Sequence, residues 1–221
     1  MSSFFQNALP FYNKLSKSEQ NLIANNIYKK DFTKGSIIHA GSQDCTGLFL
    51  VEEGAIRAYI LSEDGKEITL YRLFSRDICM FSASCVMNNI SFEIFMETIT
   101  DTTVYIIPPD IFKTLQNNSL PVADYINKLM ASRISDIVWV VEQVLFKSFD
   151  KRLAHFLIEM TTIEDSNTLT ITHEQIARNL GTAREVVSRM LKYFVENNLV
   201  ELNRGTVKII DIDRLYEISD E

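Results

Sequence analysis

Between Gly181 and Phe194 the chain reads GTAREVVSRMLKYF. Wound as a helix, this segment turns Val187, Met190, Leu191 and Phe194 inward and leaves Arg184, Glu185, Ser188, Arg189 and Lys192 on the outer face. Each outer residue has a defined chemistry toward nucleic acid. Arginine bonds bidentately to guanine O6 and N7, glutamate accepts from cytosine N4, serine is a short adaptable partner, and lysine suits phosphate. The set therefore predicts base readout in a DNA groove.

The flanking sequence supplies the elements such a helix needs. In THEQIARNLG, Thr172 can cap a helix carrying Ile176, Ala177 and Leu180, and Gly181 makes a sharp break before Thr182 or Ala183 starts the next helix. This is the helix-turn-helix layout, whose second helix enters the major groove by its N-terminal end. VEL-NRG-TVKII reads as a hairpin wing. Thr172, Thr182 and the wing residue Arg204 complete the candidate DNA contacts with Arg184, Glu185, Ser188, Arg189 and Lys192.

From Arg178 to Lys192, four basic residues (Arg178, Arg184, Arg189, Lys192) against Glu185 leave a local charge of +3. The whole chain of 221 residues carries 22 basic and 29 acidic side chains, a formal net charge of −7. That balance excludes a protein that coats nucleic acid or acidic membrane without selectivity, so the contact with DNA is expected to be local.

The residues before this unit read differently. From about Thr33 to Pro108, short runs rich in Ile, Leu, Val, Phe, Tyr and Thr are punctuated by turn signals, which predicts a small antiparallel β-roll or barrel. LFLVEEGAIRAYILSEDGKEITLYRLF reads as three consecutive strands, with Asp64-Gly65 as a tight hairpin turn and Gly54 as a site for positive φ. A helical segment with Ser16 or Ser18 as cap precedes the roll, and Pro108 with Asp110 can open a short helix after it. The fold class expected is α+β: a β-roll domain over 1–118, a long helix over 119–147, and a winged helix-turn-helix over 148–221.

In the long helix Met130, Ile134, Ile137, Val141 and Val144 recur at spacings of 4, 3, 4 and 3, the a/d seam of a coiled coil about two heptads long. The seam predicts self-association as a homodimer or packing of the helix on its own domain's core, and the two can hold at once. Val138, Trp139, Val140 and Leu145 predict a second face packed within the chain.

ITHEQIARNLGTAREVVSRMLKYFVENNLV resembles the superfamily of the cyclic-AMP receptor protein and the fumarate-nitrate reduction regulator. SIIHAGS, LFLVEEGAIRAYILSEDGKEITL and the seam helix agree, so the resemblance runs over nearly the whole chain. It implies a homodimeric transcription regulator whose Glu185 and Arg189 read the central G·C pairs of a TGA-containing half-site in an inverted repeat. Ser188 matches the E-x-x-S-R pattern of the fumarate-nitrate branch and Arg184 matches the cyclic-AMP branch, which leaves the outer bases open. Double-stranded DNA and a second copy of the chain are the partners, with RNA polymerase added if the regulator activates.

The resemblance also frames the effector. Where that family carries a Gly-Glu pair and then an Arg-Ser pair for a cyclic phosphate, this chain has RDICMFSASCVMNNISFEIF. Arg76 replaces a customary glycine, Met80-Phe81 stand in place of Gly-Glu, and Ile90-Ser91-Phe92 offers no arginine, which argues against cyclic AMP. Three cysteines, Cys45, Cys79 and Cys85, cannot supply the four thiolates of a [4Fe-4S] cluster. Their odd number makes no disulfide framework, and in a reducing compartment free thiols, ligands or redox sensors are expected. Arg76, Cys79, Met80 and Cys85 are the effector or redox candidates: Cys79 and Cys85 as a redox pair, a cysteine as a haem ligand, or both cysteines as small core residues.

His39, His155 and His173 read as structural or surface residues, and no metal site is expected. Without a glycine-rich phosphate loop, a nucleophile-base arrangement or a zinc spacing, no enzymatic activity is expected. The N-terminal residues lack the features of a signal peptide and no apolar run reaches membrane-spanning length, so cytoplasmic residence is the expectation. A rival reading is a haem- or small-ligand-binding sensor that acts through protein partners.

Overall fold

In the computed structural model, which describes residues 5–6, 8–41, 45–86 and 93–220 (backbone alone for 84–86), the segments rich in branched and aromatic residues are strands. These are β1 (Tyr28–Phe32), β2 (Ile37–Ala40), β3 (Leu48–Glu53), β4 (Ile56–Leu61), β5 (Glu67–Leu73), β6 (Ile78–Cys79), β7 (Phe95–Thr98) and β8 (Thr102–Ile107). Among the described residues they form two four-stranded sheets, ordered β1-β8-β3-β6 and β2-β7-β4-β5.

The three strands expected in a row exist, but they do not form one meander. β3 pairs with β8 and β6, whereas β4 pairs with β7 in the other sheet. The chain changes sheets at Gly54, whose φ is 92° and where a Cβ would collide with the Asp101 carbonyl and Thr102. Only glycine meets both demands. The β4–β5 connection is also longer than a tight two-residue turn: Ser62 donates its N–H to the Lys66 carbonyl at 2.8 Å, closing a loop in which Gly65 takes φ 76°.

The chain divides into two compact units, Met1–Leu61 with Leu70–Ile137, and Ser62–Thr69 with Val138–Glu221. In the first unit, Leu48, Phe49, Leu50, Ile56, Ala58 and Met96 from the two sheets share one core with Leu9, Ile23, Phe112 and Ile126. β3 is buried along Leu48–Val51 without alternation, as a strand covered on both faces must be, while the edge strand β1 exposes Lys29 and Lys30.

Helix α1 (Lys17–Asn26) is capped by Ser16, whose Oγ accepts the Glu19 N–H at 3.3 Å while the Glu19 carboxylate accepts the Ser16 N–H at 2.7 Å. Pro108 precedes α2 (Pro109–Asn118). The long helix α3 runs over Leu120–Phe146.

α3 departs from the expected division of its faces. Met130 and Ile137, two seam residues, pack against the first unit's core, whereas the seam residues Ile134, Val141 and Val144 are 56%, 48% and 39% exposed. Val138 and Leu145, expected to pack within the chain, are exposed as well, and Trp139 keeps partial contact with its ring 5.1 Å from that of His155. The intramolecular face is thus set by Val122, Ile126, Met130 and Ile137, one helical stripe that the seam spacing overlaps only in part.

The second unit has its own core of Leu153, Leu157, Ile176, Val187, Leu191, Phe194, Val207 and Leu215. Its elements are α4 (Phe149–Glu164), β9 (Thr168–Leu169), α5 (His173–Leu180), α6 (Arg184–Glu196), β10 (Val200–Asn203), β11 (Thr206–Ile209) and α7 (Ile212–Asp220). α4 continues through Thr161–Glu164, and α7 supplies the core residue Leu215. Among the described residues no helix is long and apolar enough to cross a membrane.

Candidate nucleic-acid interface

The two short helices are set by local chemistry. Thr172 Oγ1 accepts the Gln175 N–H at 3.2 Å and Gln175 Oε1 accepts the Thr172 N–H at 2.8 Å, a reciprocal cap that starts α5. The helix stops at Gly181, which takes a left-handed φ of 65° and from whose neighbour Leu180 the carbonyl accepts a bond from the Arg152 guanidinium of α4. Thr182 N–H then reaches back to the Ala177 carbonyl at 3.1 Å, and Ala183 takes the cap position of α6 without a side-chain bond. Of the two starts expected for α6, Ala183 is the one found.

The rotation of α6 about its axis is fixed by burial. Val187, Leu191 and Phe194 are fully enclosed. Each such side chain contributes roughly 1.5–3 kcal/mol relative to exposure, so turning the helix outward is strongly disfavoured. The opposite side then presents Arg184, Glu185, Arg189 and Lys192 to solvent, with Ser188 half-buried among them. Glu185 sits in the first turn, where a carboxylate is favoured by the helix dipole. With the start of α4, the helix lines a concavity formed by Phe149, Asp150, Val186, Arg189, Met190 and Tyr193.

The wing forms as an antiparallel pair, β10 with β11, in the register Val200↔Ile209 to Asn203↔Thr206. β9 adds a third strand through Val207↔Leu169. Arg204 is exposed in the turn beside Gly205, whose φ is 78°. Thr172 is exposed and Thr182 half-buried. The candidate contacts of α6 thus share one face, and Arg204 stands at the wing tip.

The basic patch is smaller than its sequence count. Arg178 gives two bonds to Glu67 Oε1, at 3.0 Å from Nε and 2.6 Å from Nη2, and Glu67 belongs to the same compact unit. A guanidinium held on a largely buried carboxylate adds little field at a distance, which leaves Arg184, Arg189 and Lys192 as the cations of the patch.

His173 has a role the sequence does not show. Its Nδ1 lies 2.8 Å from the Ser188 Oγ, joining the first residue of α5 to the outer face of α6. Burial, with a further contribution from the Arg184 guanidinium, lowers the pKa of its imidazole. Residues 15 apart give no periodic signal, and the pairing exists only because the turn at Gly181 folds one helix onto the other. Of the other histidines, His39 is buried in β2 and His155 stands against Trp139.

The described effector candidates divide between surface and core. Arg76 is exposed in a turn at φ 76°, a conformation that explains why glycine suits this position. Cys79 and Met80 are both 1% exposed in the first unit's core, where the Cys79 thiol donates to Met96 Sδ at 3.5 Å. Burial pushes the Cys79 thiol up, and more strongly the Tyr71 hydroxyl beside it.

Cys79 is a free cysteine and Cys45 is disulfide-bonded, so of the alternatives for Cys79 the redox pair with Cys85 is not formed, and Cys45 is not a free thiol. The thiol of Cys79 is committed to core packing. The Cys85 side chain and residues 87–92, including Ile90-Ser91-Phe92, lie outside the described residues. Among the described residues no three His, Cys, Asp or Glu side chains converge on a metal-sized site.

Comparisons with known proteins match both units. Residues 151–218 match the Crp-like helix-turn-helix domain and residues 29–119 the cyclic nucleotide-binding domain. The chain is 50% identical to a protein of Eubacterium rectale described as a transcriptional regulator of the Crp/Fnr family, with a TM-score of 0.95 over 97% of this chain and 100% of that one. The regulatory protein HlyX of Actinobacillus pleuropneumoniae is 27% identical over 98% of this chain and 90% of its own length. The cyclic AMP receptor protein of Thermus thermophilus is 23% identical over 95% and 96%.

Proposed function

Taking as premise that the chain belongs to the CRP/FNR superfamily of transcriptional regulators, with a domain of the cyclic nucleotide-binding class and a Crp-like helix-turn-helix, we propose that it acts as a homodimer on an inverted repeat. Residues 1–118 form the effector domain, 119–147 the dimerisation helix and 148–221 the DNA-binding domain. One copy of α6 enters each of two successive major grooves, and the two-fold axis of the protein matches that of the DNA.

In this reading Glu185 and Arg189 read the central G·C pairs of a TGA-containing half-site, and Ser188 and Arg184 read the flanking bases. Lys192 contacts phosphate, and Thr172, Thr182 and Arg204 contact the backbone to either side. A regulator of this kind works where the chromosome is, in the cytoplasm, with RNA polymerase as a further partner if it activates. Every role assigned here is binding, which calls for no catalytic residue.

The observation that carries the proposal is the outer face of α6. Burial of Val187, Leu191 and Phe194 locks four charged side chains, Arg184, Glu185, Arg189 and Lys192, outward beside a half-buried serine.

Dimerisation uses Ile134, Val141 and Val144 with Met130 and Ile137 behind them. An apolar row of this exposure on a helix is accounted for by a second copy laid along it.

The effector is a ligand or a redox event other than cyclic AMP. Met80 and Phe81, at the place where the superfamily holds a cyclic phosphate, are buried core residues whose apolar side chains offer it neither charge nor hydrogen-bond donor. Selection from randomised duplex DNA, followed by sequencing of the bound fraction, tests the assignment. Enrichment of a TGA-type inverted repeat is expected, and no enriched sequence at moderate salt, with and without reductant, refutes it.

A further inference from the structure

Ser188 stands apart from the other residues on the outer face of α6. Arg184, Glu185, Arg189 and Lys192 are exposed, whereas Ser188 is half-buried with its Oγ 2.8 Å from Nδ1 of His173. A serine hydroxyl carries one hydrogen and two lone-pair acceptors, and its hydrogen rotates to suit its surroundings. Left to rotate, it can donate to guanine or thymine or accept from adenine or cytosine, and it distinguishes them poorly. A partner that fixes the hydrogen removes this ambiguity.

His173 is built to be such a partner. It is the first residue of a helix whose start is fixed by the reciprocal Thr172–Gln175 cap, so its backbone is held. Burial and the neighbouring Arg184 cation favour the neutral ring, which leaves one ring nitrogen free to accept a hydrogen bond.

We propose that His173 is a positioning residue for base readout: its Nδ1 accepts the hydrogen of the Ser188 hydroxyl, so that Ser188 turns only lone pairs to the groove and selects a base bearing an amino group, adenine or cytosine. The inference rests on the reading of α6 as the DNA-reading helix. The specificity of one position in the half-site is set by a residue on the other helix.

The test is selection from randomised duplexes by the full-length chain and four variants. Ser188→Ala marks the position that Ser188 reads, where a preference of roughly 3- to 10-fold is lost, the size of one neutral hydrogen bond. His173→Phe is expected to lose the same preference at the same position while the base read through Arg189, located with Arg189→Ala, and the melting temperature stay unchanged. His173→Asn, with Oδ1 able to accept where Nδ1 stood, is expected to keep it.

Retention of the Ser188-dependent preference in His173→Phe overturns the proposal. So does a Ser188→Ala variant with no changed position. If the larger ring lowers the melting temperature, His173→Ala gives the same comparison. A wild-type chain that selects no sequence at all instead refutes the DNA-reading assignment on which the inference rests.

Discussion

Replacing Ile134 by alanine tests the dimer most directly. The residue lies on the outward stripe of α3, 56% exposed in the single chain, and alanine is the strongest helix former, so the fold of the protomer is retained. Full burial of an isoleucine side chain contributes roughly 1.5–3 kcal/mol. Burial of the exposed 56% by a partner therefore contributes about 0.8–1.7 kcal/mol per protomer, and in a two-fold interface both copies lose it. The dimer is expected to weaken by about 1.7–3.4 kcal/mol, or roughly 20- to 300-fold in Kd.

Sedimentation equilibrium across a range of protein concentrations reads this directly. Tyr28→Ala removes a side chain 48% exposed on the edge strand β1 and is the control, expected to leave the Kd unchanged. Equal Kd values for wild type and Ile134→Ala would refute the assignment of this stripe to the interface. A loss of the same size in Tyr28→Ala would show that the effect does not arise from α3.

Further outcomes are expected from the same geometry. Arg189→Ala is expected to cost roughly 1–3 kcal/mol of specific binding and to relax one base position, while Lys192→Ala weakens all sequences alike; equal losses for Arg189→Ala on specific and random DNA contradict its role. The Cys79 thiol, buried at 1% exposure with its pKa raised by burial, is expected to resist iodoacetamide in the native protein and to react after unfolding, which peptide mass mapping reads. Thr172→Ala is expected to lower the unfolding free energy by about 1 kcal/mol through loss of the α5 cap, measured by urea titration. The His173 imidazole, whose pKa is held below 6.5, is disfavoured as a cation in the folded state. Its contribution to stability is therefore intact above pH 6.5 and is lost as pH falls through the lower folded value. Arg184→Ala removes one cause of the shift and is expected to raise the His173 midpoint in an NMR titration.

What the sequence determined by itself was local. The capping pair at Thr172 and Gln175, the break at Gly181 and the inward positions Val187, Leu191 and Phe194 lie within a few residues of one another, and nearest-neighbour chemistry fixes them. The outer face of α6 follows, because a helix with one buried side has one exposed side.

Contacts distant in sequence were decided only by the tertiary structure. The spacing of Met130, Ile134, Ile137, Val141 and Val144 marks them as apolar and periodic, but the rotation of α3 against the roll core divides them into packed and exposed members. The same holds for Gly54, a strand break in sequence that becomes a crossing between sheets because the Asp101 carbonyl and Thr102 close over it. Arg178 is spent on Glu67, 111 residues away, and Cys79 on the core around Met96, so neither side chain keeps the role its composition suggests. The His173–Ser188 bond shows the reason most simply. Periodicity reports which residues share a face of one element, while a hydrogen bond between elements depends on how far apart and at what angle the fold sets them.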